Sequence, residues 1–198
     1  MGPSVLLFTG HLLDRIDRES ARFPYRLIRD VKILIEIELE QILKKGTPSM
    51  AISSLAAGGD MLFASEIVQR NIPLTVFLPF DKDTFLAHSV RYLKDLPSED
   101  PKEWEDHFHE NMSKASKVVI TQSNGLQPEQ AYAACNKAML KFALELAQNH
   151  PSKVLALALV KNSDEIKPGG SADFVTHLES TGVNVKKIWP GRSNKLYC

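Results

Sequence analysis

The chain is built from short, continuously apolar runs that alternate with longer segments of helical periodicity. Ser4–Thr9 is apolar without interruption and stops at Gly10, the pattern of a strand covered on both faces. A polar loop follows from His11 to Pro24, and then Tyr25–Lys45 places Leu27, Val31, Leu34 and Ile42 at helical spacing before Gly46. The alternation continues with a strand at Met50–Ser53, a helix at Asp60–Arg70 and a strand at Leu74–Leu78 closed by Pro79. Between Phe80 and Lys114 the pattern weakens to two helices, Lys82–Leu93 and Pro101–Ser116, with a polar break at Leu96–Asp100. Strand Val118–Thr121, helix Pro128–Gln148, strand Val154–Val160, helix Ser171–Ser180 and strand Val183–Ile188 complete the series. Pro128 suits a first helical turn, because proline there gives up an N–H that has no partner anyway.

Short strands alternating with longer helices imply right-handed βαβ crossovers. The expected fold class is α/β: a single doubly wound, mainly parallel sheet, Rossmann-like, with helices on both faces. Residues 1–190 form one domain in this reading, and 191–198 a polar C-terminal tail. With 198 residues the core needs neither a disulfide nor a structural metal to hold it. Cys135 and Cys198 form no C-x-x-C pair and read as free thiols in a reducing compartment. No basic segment precedes Val5–Phe8, and no apolar run reaches the roughly 18 residues of a membrane span, so the expected location is cytoplasmic, without a membrane partner.

Charge narrows the partners. The chain carries 24 Lys+Arg against 24 Asp+Glu, so no net field attracts a long nucleic acid, which becomes an unlikely partner. His107, His109, Glu110 and nearby Trp104 do not form a metal site, since His109 points off the face that His107 and Glu110 share. Trp104, Phe108 and Met112 at helical spacing read as core. Neither a G-x-S-x-G elbow nor a base beside Ser53-Ser54 supports a nucleophilic serine.

Ligands of doubly wound sheets sit beyond the carboxyl ends of the strands, at the switch in strand order. Thr9-Gly10-His11 follows the first strand, and Ser53 to Asp60, with Gly58-Gly59, runs from the second strand into a helix. Ser123-Asn124-Gly125 follows the fourth strand, and Pro168-Gly169-Gly170-Ser171 opens the helix after the fifth. Glycines there admit close backbone approach, and a helix N-terminus adds partial positive charge, so the two Gly-Gly pairs are candidate phosphate cradles. The same glycines also suit tight turns with no ligand. The spacing fits neither the dinucleotide fingerprint nor the P-loop. Arg18 and Arg22 either clamp a phosphate from the loop above or pair with Asp14, Asp17 and Glu19. His11 is a phosphate donor, a general acid or a satisfied structural histidine.

The stretch Ser53-Ser54-Leu55-Ala56-Ala57-Gly58-Gly59-Asp60, with Phe63-Ala64 and Ile72 to Phe80, resembles the SLOG superfamily. That group spans Smf-type DNA-processing proteins, LOG phosphoribohydrolases and nucleotide-sensor domains. Pro168-Gly169-Gly170-Ser171 resembles its P-G-G-[ST] motif, Thr9-Gly10-His11 its first-strand glycine, and Tyr132 with Asn136 the Y-x-x-x-N helix of one branch. The resemblance implies a nucleotide pocket. Phosphate or ribose would lie on Gly10, Ser53, Ser54, Gly58, Gly59, Gly169, Gly170 and Ser171, with His11, Arg18, Arg22 and Asn124 near. Asp60 would cap its helix or bind a ribose hydroxyl, Tyr132 would stack on the base, and Asn136 would hydrogen-bond it. Homo-oligomers are usual in such a family, here through the apolar-rich Tyr25–Lys45 helix, as is an effector domain or protein. The LOG enzymes carry P-G-G-x-G-T-x-x-E, whereas this chain continues Ala172-Asp173-Phe174-Val175, without that glutamate. The expected function is therefore binding of a nucleotide or nucleotide-derived signal by a sensor or regulatory domain, with no certain cofactor. The alternative is hydrolysis or transfer at a nucleotide N-glycosidic bond, with Asp60 or Asp173 as the carboxylate.

Overall fold

A computed structural model describes residues 4–15, 18–92, 101–121, 125–161 and 165–190. Asn124, Ser123, Asp17, the 96–100 break and the 191–198 tail with Cys198 lie outside the described residues. Strand β1 (Val5–Gly10) leads through a long connection and a 3-10 turn at Tyr25–Leu27 into α1 (Ile28–Leu43). β2 (Met50–Ser53), α2 (Gly59–Gln69), β3 (Leu74–Leu78), α3 (Lys82–Ser89), α4 (Pro101–Lys114) and β4 (Lys117–Ile120) follow. α5 (Pro128–Leu146), β5 (Val154–Leu159), α6 (Ser171–Ser180) and β6 (Asn184–Ile188) come next among the described residues.

The six strands lie in the order β4-β3-β2-β1-β5-β6, and every pairing is parallel. The chain steps outward from β1 to β4, then returns to the other side of β1 for β5 and β6. Right-handed crossovers place the outward helices on one face and the returning helices on the other. The core divides that way. Leu6 and Phe8 of β1 join Val76 and Leu78 of β3 beneath α1, α2 and α4, while Val5 and Leu7 face α5 and α6. The period of two along each strand thus turns one apolar run into two half-cores.

Helix boundaries moved for local reasons. Pro24 precedes a tight 3-10 turn, so the regular helix starts at Ile28, and Gly46, at φ +137°, follows its end. The helix expected over Lys82–Leu93 stops at Ser89 because Val90 adopts φ −133° and buries its side chain completely. The apolar residues of α1 that exceeded a single stripe mostly pack within the chain. Val31, Ile35, Leu39 and Ile42 are buried, and Ile28, Leu34 and Leu43 rest against the same cluster. Among described α1 residues this leaves Ile37, 37% exposed, as the large apolar side chain facing out.

Phe8 of β1 stacks on Phe63 of α2 with ring centroids 4.6 Å apart, and both are fully buried. This contact couples the central strand to the helix that follows β2. Phe63→Ala is expected to lower stability by about 3–5 kcal/mol, through lost burial plus the cavity left behind. Chemical denaturation followed by circular dichroism measures it, and a loss below about 1 kcal/mol would mean that the stack is not a core contact.

Candidate functional site

β1 and β5 are neighbours whose connections depart in opposite directions, so a crevice opens beyond their carboxyl ends. A cavity of about 430 Å³ occupies it. Gly10, His11, Arg22, Ser54, Asp60, Tyr132, Asn136, Gly169, Gly170 and Ser171 line this cavity, bringing together most of the residues that the sequence pointed to. Arg18, Ser53, Gly58 and Gly59 are not among the lining residues.

The Gly58-Gly59 pair is occupied by the protein itself. Leu12 and Gly58 form an antiparallel bridge, the Leu13 N–H donates to the Ala57 carbonyl at 3.0 Å, and the Gly59 N–H donates to the His11 carbonyl at 3.1 Å. Gly58 sits at φ +129°, and a Cβ there would lie 2.7 Å from the His11 oxygen. An added Cβ on Gly59 would meet Leu159 at 3.0 Å and the Gly10 Cα at 3.3 Å. Glycine is thus required because two backbones touch, which sequence alone does not separate from a phosphate cradle. Ser53 is fully buried in β2, and its Oγ has no hydrogen-bond partner among the described residues. Arg18 pairs through Nε with Asp14 at 3.2 Å and donates to the Ser20 carbonyl at 2.8 Å. Asp14 also accepts the Arg22 N–H at 2.8 Å, so its carboxylate shapes the loop that carries Arg22 to the cavity.

The second glycine pair does face the cavity. Gly169, at φ +76°, packs against the start of α5, where an added Cβ would stand 2.5 Å from the Glu129 carbonyl oxygen. Three hydrogen bonds pin this turn. Asn136 Nδ2 donates to the Gly169 carbonyl at 3.2 Å, the Gly169 N–H donates to Asp173 Oδ2 at 3.0 Å, and Ser171 Oγ donates to the Gly10 carbonyl at 2.8 Å. Asp173 is therefore engaged in closing the turn before α6 and does not line the cavity. Asn136, expected to meet a base, has an amide hydrogen committed to this turn. A helix leaves its first N–H groups without intrahelical partners, and α6 begins at the cavity wall.

α5 supplies the opposite wall through Pro128, Glu129, Tyr132, Cys135, Asn136 and Met139, which share one helical face. The Tyr132 hydroxyl and Ser89 Oγ share a 2.6 Å hydrogen bond, and Phe80 meets the Tyr132 ring edge-on at 5.5 Å. Tyr132 is thereby braced as a wall with its hydroxyl engaged. Extending the Tyr132 and Asn136 spacing along the helix would have found Glu129, Cys135 and Met139. Pro79, which closes β3, also lines the cavity, as do His88 and Lys167, which nothing local in the sequence marks.

Asp60 lies in the first turn of α2 and is only 8% exposed. Burial pushes its carboxyl from 3.8 up to about 7, against the opposing effect of backbone hydrogen bonds from Ala56 and Gly10. Burial also pushes the Cys135 thiol up to about 12 and raises the Tyr132 phenol, with the Asp60 charge adding to both. Cys135 is thus a neutral, poorly nucleophilic thiol at physiological pH. A carboxyl whose folded value is raised holds more protons folded than unfolded, so its stabilising effect is complete near pH 4 and is lost as pH rises to about 7. Asp60→Asn should remove that decline and be the more stable protein at pH 8, by up to about 4 kcal/mol. Denaturant midpoints at pH 5 and pH 8 measure the effect, and equal slopes for both proteins would contradict it.

No family model matches the chain, and no curated protein sequence matches it. A similar solved structure is the X-ray structure of DNA processing protein A (DprA) from Streptococcus pneumoniae, at 17% identity and a TM-score of 0.34. The likeness covers 93% of this chain and 58% of that chain, so this chain spans a little over half the other's length.

Proposed function

We propose that the chain binds a nucleotide or nucleotide-derived signal in the cavity beyond β1 and β5, as a sensor or regulatory domain. The observation that carries this is the convergence of Arg22, His11, Asp60 and the amino end of α6 on one cavity at the switch in strand order. Its volume falls within the range of about 300–1,000 Å³ usual for small-molecule sites. Arg22, His11 and the α6 terminus suit a phosphate, Tyr132 offers a ring to a base, and Asp60 an acceptor for a hydroxyl. A balanced total charge of 24 against 24 is no obstacle to so small an anion, since local groups supply the attraction. A sensor of this kind acts through an effector protein or a second copy of the chain.

Isothermal titration with nucleoside monophosphates, NAD derivatives and cyclic dinucleotides tests the proposal. One of these should bind, and Arg22→Ala should weaken it by about tenfold or more, the worth of one charge-assisted contact. Absence of binding by all three classes overturns it.

Asp60 favours one second reading, hydrolysis at the N-glycosidic bond of the same ligand, because a buried carboxyl near neutrality is suited to proton transfer. Asp173 is not its carboxylate here, being held by the Gly169 N–H. This reading predicts free base released from a nucleoside monophosphate, detected by chromatography and abolished in Asp60→Asn. Unchanged substrate after prolonged incubation leaves binding alone.

A further inference from the structure

We propose that anion binding in this cavity is proton-linked through Asp60, so that the ligand binds more tightly as the medium becomes more acid. The inference rests on the nucleotide reading above and adds a control to that site. Asp60 belongs to the cavity lining, yet it is almost wholly withdrawn from solvent, so its charge is poorly screened from whatever enters. Its carboxyl is tied to the backbone of Gly10, and the carbonyl of that same residue accepts the Ser171 hydroxyl at 2.8 Å. A single residue of β1 thus stands between the buried acid and the amino end of α6.

The other groups around Asp60 divide by sign. His11 and Arg22 come from the segment after β1, His88 from α3 and Lys167 from the turn before α6, all donors to an anion. α5 contributes the carboxylate Glu129 and the neutral Tyr132 and Cys135, whose protons the Asp60 charge helps to hold. An ionised Asp60 therefore opposes an arriving phosphate, at short range and in a medium of low polarity. A protonated Asp60 removes that opposition and offers an O–H that a phosphate oxygen accepts. By linkage, the anion in turn raises the proton affinity of Asp60. With the free carboxyl poised at about 7, small changes in pH change its occupancy.

Sulfate is the appropriate probe, because its charge does not change between about pH 5.5 and 8.5 whereas that of phosphate does. Affinity for sulfate should fall from the lower to the higher pH in the native protein. In Asp60→Asn the fall should be smaller by about tenfold. Carbon-detected NMR of the native protein gives a second readout that does not depend on the variant folding. The Asp60 carboxyl should titrate near neutrality, and its midpoint should move upward when sulfate is added. An unmoved midpoint, or the same pH dependence in native and variant protein, overturns proton linkage while leaving the site intact. Absence of any binding of sulfate, and of a nucleoside monophosphate at pH 5.5, instead removes the anion site itself.

Discussion

The site depends on a backbone contact: the chain leaving β1, His11 to Leu13, lies directly against Ala57 to Gly59 at the start of α2. Two N–H···O bonds and one left-handed glycine hold the two segments closer than any side chain would permit. The contact turns the post-β1 segment over the sheet, so that the loop stapled by Asp14 brings Arg22 above the crevice. It also sets the first turn of α2 under Gly10, which is why Asp60 is buried. Loop, floor and acid are consequences of one close approach.

Such an arrangement has a free-energy cost. A carboxyl withdrawn from water is locally unfavourable, and it persists only where the surroundings over-determine it. The surroundings here are the two half-cores, with β1 buried along its whole length and Phe8 stacked on Phe63. The β1–α2 unit is therefore the densely buried part of the site. α5 and the Pro168–Ser171 turn form the other wall, held to β1 by the half-core around Val5 and Leu7 and by the hydrogen bond from Ser171 to Gly10. The cavity lies between these two groups of residues.

Most of the architecture was legible because its signals are local. A strand covered on both faces must be apolar throughout, and a helix on a sheet must repeat near every 3.6 residues; both patterns survive in the linear chain. Asp60 and Pro168–Ser171 were found for a similar reason, since each lies where a strand or loop meets a helix. The Gly58-Gly59 pair was harder. A glycine needed for a backbone neighbour and a glycine needed for a phosphate look alike in one dimension, and the His11 carbonyl that decides the matter lies 47 or more residues earlier in the chain. Asp173 likewise carries no mark that the Gly169 N–H will occupy it.

By itself the sequence determined the α/β class, the order of strands and helices, and the chain segments in which a ligand could be met. These follow from periodicity and turn chemistry, which act between residues close in sequence. Only the tertiary structure decided which of those segments meet. It put His88, Lys167 and the α5 face around one cavity, took Arg18 and Gly58-Gly59 out of it, and buried Asp60 until its carboxyl stood near neutrality. Burial and electrostatic environment are set by what the rest of the chain packs around a group, and no local pattern records that.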